Sequence, residues 1–198
     1  MTRRVLVVHA HPTADSFCGA LRDLVRSTCT KNGAEVRVHD LYAEGFSAVV
    51  SANEWNLRGE AAGTKPHLAE HFADVSWCDT LVFVYPTWWS AQPAVLKGWI
   101  DRVLAYEVAW TIDPTSGHAL PNLRNVKRII VVTTHGRSRI VNLLCGEWGR
   151  ATIARSVRRL CSWRCRVNWL AAYSMDRSTR YERERFMQRV ERRVRRAV

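Results

Sequence analysis

No stretch of about 18 or more uncharged apolar residues occurs in this 198-residue chain, so it offers no candidate for a membrane-spanning helix. The first apolar run is short as well. Met1-Thr2-Arg3-Arg4-Val5 leads within a few residues to His9-Ala10-His11, which is too brief for a signal-peptide core. A cytosolic protein without membrane insertion is expected. The phosphate-loop patterns GxGxxG and GxxxxGK[ST] are both missing, which counts against a Rossmann dinucleotide site and a P-loop nucleotide site. Six cysteines are present (Cys18, Cys29, Cys78, Cys145, Cys161, Cys165), but none forms a CxxC pair. Cys161-Ser-Trp-Arg-Cys165 has no second pair or nearby histidine to complete a tetrahedral zinc site, so buried free thiols are expected. His9 and His11 share a strand face, yet no third ligand accompanies them, and no metal is expected. Lysine is scarce too, with four among 30 cations.

What is present fits one ordinary α/β domain spanning 1–198, since 47% of the residues are hydrophobic and 10% aromatic. The net charge of +12 is unevenly placed. Residues 1–123 carry 10 Lys or Arg against 13 Asp or Glu, a balance of −3, whereas residues 124–198 carry 20 against 5, a balance of +15. Such a segment opens the reading of a basic nucleic-acid-associated protein. No RNA- or DNA-binding signature accompanies it, and Arg-rich solvated helix faces are the preferred account, with no nucleic acid expected. Attraction of a phosphorylated dinucleotide is compatible with the same charge.

Strands and helices alternate along the chain. Arg4–Ala10 reads as a strand buried on both faces, followed by a helix through Phe17, Leu21, Leu24 and Val25 that Asp15 or Ser16 caps. Asn32-Gly33 ends it, and Glu35–His39 alternates as a more exposed strand. Residues 40–64 are irregular, with Gly45, Gly59 and Gly63. A helix over about Pro66–Cys78 precedes Thr80–Tyr85, the strongest strand signal, and another helix opens at Pro93. Val126–Thr133 is a fourth strand. Helix is expected over roughly 138–160 with a break near Gly146–Gly149, then a fifth strand at Arg166–Tyr173 and a closing helix from Thr179 to Arg196. Alternation of this kind implies right-handed crossovers onto a parallel sheet, and five strands suit the doubly wound order 2-1-3-4-5 with helices in layers on both faces.

In that order, ligands bind beyond the carboxyl ends of strands one, three and four. Three loops follow those strands. His11–Phe17 ends at a helix N-terminus where Ser16, His11 and unpaired N–H groups suit phosphate oxygens, with Asp15 expected to turn away or bond to backbone. Tyr85-Pro86-Thr87-Trp88-Trp89-Ser90-Ala91-Gln92-Pro93 sets two tryptophans between prolines, which suits a flat aromatic pocket, a subunit contact or a plug at the sheet end. Thr133-Thr134-His135-Gly136 offers hydroxyls, an imidazole and a glycine that permits close backbone approach.

Taken together, these residues resemble the flavodoxin-like NAD(P)H:quinone oxidoreductase family. The most specific part is Pro86-Thr-Trp-Trp-Ser-Ala-Gln-Pro93-Ala-Val-Leu-Lys97-Gly98-Trp99-Ile-Asp101-Arg102-Val103, which matches the family's proline–aromatic loop and following "PAxLKGWxxRV" helix. His11, Ser16 and Phe17 match its first phosphate loop, and Thr133-Thr134 the start of its "TTGG" loop. The resemblance implies a flavodoxin-like three-layer fold and a bound flavin, FAD with FMN as the alternative. It also implies NAD(P)H as co-substrate and ping-pong hydride transfer through flavin N5 to a quinone or similar flat acceptor. The pyrophosphate would meet Ser16, Phe17 and Cys18. The isoalloxazine would lie along Pro86, Thr87, Trp88 and Trp89 with Thr133, Thr134, His135 and Gly136. A homodimer is implied, with Trp89 and Trp110 framing the acceptor pocket.

Two departures stand out. His135 replaces the first glycine of "TTGG", and the Tyr and His that relay charge in the animal enzymes have no match in residues 139–149. His135 or Arg137 is therefore the expected source of the charge that balances flavin reduction. A flavin-binding regulatory subunit of an ion-efflux system is the alternative reading of the same fold.

Overall fold

The computed structural model describes residues 2–57 and 65–198. Gly59 and Gly63, part of the expected irregular stretch, lie outside the described residues. The chain runs β1 (Arg4–His9), α1 (Phe17–Lys31), β2 (Glu35–Asp40), α2 (Ala52–Asn56), α3 (Ala69–Trp77, entered through a 3₁₀ turn at Pro66–Leu68), β3 (Thr80–Pro86) and α4 (Ala94–Val103). It continues β4 (Trp110–Ile112), β5 (Ala119–Pro121), β6 (Arg128–Thr134), α5 (Arg139–Leu144), α6 (Trp148–Ala151), β7 (Arg166–Ala172) and α7 (Arg180–Arg195).

Five strands form one sheet in the order β2-β1-β3-β6-β7, and every pair in it is parallel. This is the expected 2-1-3-4-5 arrangement, the fold of flavodoxin-like proteins. The period-2 alternation of the central strands explains its layers. Leu6, Val8, Leu81, Phe83, Ile129 and Val131 face α3 and α4, while Val5, Val7, Val82, Val84, Ile130 and Val132 face α1 and α7. Each such side chain removed from water contributes about 1.5–3 kcal/mol, so a strand apolar on both faces is stable only between two helical layers. Among the described residues, no helix is long and apolar enough to cross a membrane.

Local chemistry sets the ends of the elements. Ser16 caps α1 by accepting from Gly19 N–H at 3.0 Å. Thr179 and Glu182 form a reciprocal capping box at α7. Gly98 in α4 lies against the backbone of Ala48, where an added Cβ would stand 2.4 Å from Ala48 Cα. The same helix holds that segment from a second point. Buried Arg102 bonds Glu54 at 2.9 and 3.1 Å, Ser47 O at 2.6 Å and His67 Nε2 at 2.9 Å.

The break expected near Gly146–Gly149 is present, because Gly146 (φ 96°) and Glu147 (φ 38°) adopt left-handed backbone between α5 and α6. After α6 the chain continues as a π-helical turn over Thr152–Val157, which buries Ile153 and Val157. The antiparallel pair β4–β5, with Trp110 opposite Pro121, was not expected, since three-residue strands leave too short an alternation to read.

Candidate functional site

The order of the sheet reverses between β1 and β3, and the loops after β1, β3 and β6 meet at that carboxyl end. In the first loop, His11 Nδ1 lies 3.0 Å from Thr13 N and 2.9 Å from Thr13 O, which ties the ring to the loop through that nitrogen. Ser16, not Asp15, is the cap, and Asp15 is exposed. Because Ser16 Oγ serves the cap as acceptor, its O–H remains available as a donor. The Phe17 and Cys18 N–H groups at this helix start have no intrahelical acceptor. Cys18 turns its side chain inward to Thr134 Oγ1 at 3.6 Å, and burial pushes the thiol up to about 11. Its backbone, not its sulfur, is what the site can use. A residue absent from the sequence reading makes this corner possible: a Cβ on Gly19 would lie 2.1 Å from Ala14 O.

The second loop is a tight reversal. Trp88 and Ala91 exchange backbone hydrogen bonds at 3.1 and 3.0 Å, and the two residues between them, Trp89 (φ 49°) and Ser90 (φ 62°), both have left-handed backbone. That is the backbone sign of a type I′ turn, which favours Asn-Gly and is costly for tryptophan. Trp89 stands 99% exposed at the apex, and Trp88 is partly exposed. The loop is fastened from behind by Gly149 N–H to Ser90 O (2.9 Å) and Gln92 Nε2 to Gly149 O (2.7 Å). Thr87 N–H donates to Thr134 O at 2.7 Å, tying it to the third loop.

The third loop centres on His135, which is buried. Asn142 Nδ2 donates to Arg137 O (3.1 Å) and Ser138 O (2.8 Å), so its Oδ1 accepts from His135 Nδ1 at 2.9 Å. That fixes the tautomer. His135 Nε2 then accepts from the Thr87 hydroxyl at 3.3 Å, and Thr87 accepts from Thr133 at 2.9 Å. Burial lowers the His135 pKa despite the Asn142 bond, so the ring is neutral at pH 7. Tyr173 stacks on it and donates to Glu147 at 2.9 Å.

Between the second and third loops opens a cleft of about 510 Å³ lined by Thr87, Trp88, Trp89, Ser90, His135, Gly136, Arg137, Asn142, Cys145 and Asp176. Pro86, Thr133 and Thr134 are buried beneath it, and His11, Ser16, Phe17 and Cys18 flank the same end of the sheet. Trp110 does not line the cleft; it packs edge-on against Tyr106 at 5.4 Å. Asn142 and Asp176 went unread in the sequence, because a helix and a turn carry them with no local pattern, and Cys145, expected as a buried thiol, is instead exposed at the cleft while the other five cysteines are buried. A larger groove of about 970 Å³ runs along β7 and α7. It is bordered by Arg and Glu side chains of α7 and meets the third loop only through residues 172–175. It shares no lining residue with the cleft, and the cleft, walled by the second and third loops together, is the better candidate.

Elsewhere, His39, Glu44 and His71 bring ligand-type atoms within 4.8 Å of one another. Their hydrogen bonding does not suit a cation. Trp99 Nε1–H donates to His71 Nδ1 at 3.2 Å, which leaves the proton of the neutral ring on Nε2, the atom 3.9 Å from Glu44. A metal would need that lone pair. His39 lies 3.0 Å from Glu44 and 3.2 Å from Asp74, and these carboxylates raise its pKa against the effect of burial.

Residues 3–196 match a family described as "Flavodoxin-like fold". The chain is 28% identical over 157 residues to "NAD(P)H dehydrogenase [quinone] 1" of Rattus norvegicus, covering 71% of this chain and 57% of that one. The chain thus spans little more than half the length of this relative. A solved "NAD(P)H:quinone oxidoreductase from Methanothermobacter marburgensis" superposes with a TM-score of 0.82 at 24% identity, covering 100% of this chain and 98% of the other. An "FMN-dependent NADH-azoreductase from Bacillus anthracis str. Ames Ancestor in complex with FMN" does so at 0.77 and 15%, covering 100% and 99%. Likenesses at these identities establish the shared fold.

Proposed function

The chain belongs to the flavodoxin-like fold family, and on that premise we propose that it is a flavin-dependent oxidoreductase carrying reducing equivalents from NAD(P)H to quinones or related flat acceptors. The observation that carries this reading is the cleft itself, walled by the Trp88–Trp89 turn and the His135–Arg137 loop at the switch point of the sheet. The name of the rat relative and the resemblance of the Pro86–Val103 segment support the same reading.

The residues present fit a flavin. The start of α1 supplies outward N–H groups and the Ser16 hydroxyl for a phosphate, with the His11 ring in the same loop. Gly19 keeps that corner close to the backbone of Ala14. The Pro86–Trp89 and Thr133–Gly136 segments offer a flat aromatic wall and a polar edge for the ring system. A flavin held there would supply the redox chemistry, ping-pong hydride transfer through N5 from NAD(P)H to the acceptor. Around it, Arg137 brings a permanent positive charge to the cleft, while His135 holds Thr87 and Asn142 in register as a neutral imidazole. Trp89 gives a flat acceptor a stacking surface.

Exposed Trp89, Ile140, Leu143, Leu144 and Trp148 form an apolar rim beside the cleft. Pairing with a second copy would cover such a rim and offers Trp110 a route to the acceptor pocket. The phosphate corner serves FAD and FMN alike, with FAD the first choice from the family resemblance. The test is the absorbance spectrum of the purified protein, chromatography of the released flavin, and NADH or NADPH oxidation with a quinone. A protein that binds neither FAD nor FMN, or that holds flavin without turnover, defeats the proposal.

A further inference from the structure

At the amino end of the sheet, opposite the cleft, three arginines share one face. Arg128 opens β6 and Arg166 opens β7, and the two are direct partners in the parallel register. Side chains two apart on a strand point the same way, and Ile130, Val132, Leu170 and Ala172 all pack toward α1 and α7. Arg128 and Arg166 therefore project side by side from that face, on strands about 4.8 Å apart. Arg3 precedes Val5, which packs on the same side, by two residues. Its carbonyl accepts from Glu35 N–H at 2.9 Å, which continues the ladder to that point. Arg3 and Arg166 are exposed, and Arg128 is half-buried.

Like charges directly opposite one another on neighbouring strands are destabilising. Here the chain supplies nothing to offset them. Among the described residues, no carboxylate pairs with any of the three, and no carbonyl accepts from their guanidinium groups. Asp79 is a carboxylate within electrostatic range of Arg128, but its oxygens are committed to Arg4 N–H at 3.0 Å and the Thr80 hydroxyl at 2.8 Å. Burial and the charges of Arg3 and Arg166 push Arg128 below its ordinary pKa. Other arginines packed on the sheet and its helices are treated differently. Arg22 bonds Asp40 at 2.6 Å, Arg37 bonds Asp74 at 2.6 Å, and Arg102 bonds Glu54 at 2.9 Å.

We propose that Arg3, Arg128 and Arg166 form a binding site for a phosphate-type dianion, either free orthophosphate or the phosphate group of a monoester. A guanidinium presents paired N–H groups whose spacing matches two oxygens of a tetrahedral oxyanion. Two guanidiniums in register can share such a dianion, and Arg3 adds a third charge within range. The dianion turns a repulsion between neighbouring strands into two attractions, whereas chloride brings one charge and no second acceptor. The site lies at the opposite end of the sheet from the cleft, so it is independent of the proposed flavin chemistry.

The test is thermal melting of the full-length protein in sodium phosphate, in glycerol 2-phosphate and in sodium chloride, at equal low ionic strength and about pH 7.5, where phosphate is largely dianionic. Wild type should melt about 3 °C higher in a saturating dianion than in chloride. Arg128→Gln and Arg166→Gln should each lose most of that rise, and titration calorimetry should show orthophosphate affinity lowered about tenfold in both. In chloride, Arg166→Gln should melt no lower than wild type, because a repulsion has gone. Arg180→Gln, which removes an exposed arginine paired with Glu184, should keep the full rise. An anion at the start of α1 acts alike on every variant and cancels from the comparison. A larger rise with orthophosphate assigns the site to the free ion, and a larger rise with the ester assigns it to a phosphorylated molecule. No rise in wild type, retention of the rise in both sheet variants, or an equal loss in Arg180→Gln overturns the proposal.

Discussion

The His135 imidazole and the Tyr173 ring stack with centroids 4.7 Å apart and planes 25° from parallel, which joins the loop after β6 to the end of β7. Backbone bonds from His135 N–H to Ala172 O (2.8 Å) and Met175 N–H to His135 O (3.0 Å) reinforce the join. His135 is thereby held from four sides, by Tyr173, Asn142, Thr87 and its own backbone. A side chain so engaged is a structural member of the cleft wall, and Arg137 beside it is the free cation of the same loop among the described residues.

Removing Arg137 and His135 should therefore have different consequences. Arg137→Ala is expected to leave the melting temperature within about 2 °C, as for a surface change worth about 0.5 kcal/mol or less. It should slow flavin reduction by NAD(P)H about tenfold, equivalent to about 1.4 kcal/mol. His135→Ala should cost about 1–3 kcal/mol of stability by leaving the Asn142 and Thr87 groups unpaired, and should weaken flavin retention. Stopped-flow reduction and thermal melts read the two effects. If neither variant alters the reduction rate, the charge-balancing role falls.

The left-handed backbone at Trp89 and Ser90 stores strain that glycine would relieve. Ser90→Gly is expected to raise stability by up to about 1 kcal/mol, the left-handed penalty less the entropy of glycine. Trp89→Gly should also be stable, yet it should raise KM for a flat quinone several-fold. Chemical denaturation together with steady-state kinetics distinguishes these outcomes. A loss of stability in Ser90→Gly would show that the turn is not strained.

Gly19→Ala places a methyl group 2.1 Å from Ala14 O, so the loop before α1 must move. A cost of about 1–3 kcal/mol is expected, with loss of bound flavin larger than the loss of fold. Flavin-to-protein ratio after gel filtration, measured beside the circular dichroism melt, tests it. An unchanged ratio would remove this corner from the cofactor site.

Acid should destabilise the protein before its carboxylates titrate. Burial and neighbouring His39 push His71 down to about 4, and burial lowers His9 and His135 as well. A histidine with a depressed folded pKa adds stability that is complete above about pH 6.5 and is lost as pH falls toward the folded value. His39 is raised, so its contribution has the opposite sign: it is complete below about pH 6.5 and fades as pH rises through its folded pKa. Urea unfolding between pH 7 and 5 should show a loss on the order of 2 kcal/mol. His71→Gln, whose amide oxygen can still accept from Trp99, should flatten that slope. An unchanged slope in this variant would mean that His71 is not the group responsible.

Much of this molecule was legible from residue order. Buried strands such as Leu81–Tyr85 are apolar on both faces, and that pattern has one stable surrounding, a sheet between helices. Their alternation with helices dictates parallel order, and parallel order dictates which loops converge. For that reason Pro86–Trp89 and Thr133–Gly136 could be paired before any contact was known. The type I′ turn at Trp89-Ser90 could not, because its sequence contradicts the usual preference and only the Trp88–Ala91 and Gly149 bonds impose it. The hairpin β4–β5 escaped for lack of length, whereas the break in the 138–160 stretch was legible at Gly146–Gly149 and only its π-helical continuation over Thr152–Val157 was not.

Sequence alone determined the sheet, its switch point and the three loops that meet there, because hydrophobic periodicity and chain connectivity act locally and add up along the chain. Tertiary structure decided what the individual side chains do. It made His135 a neutral anchor through Asn142 and Thr87 and brought Asn142 and Asp176 into the cleft. Those outcomes depend on burial and on hydrogen-bond partners remote in sequence, and such energies exist only once the layers have packed.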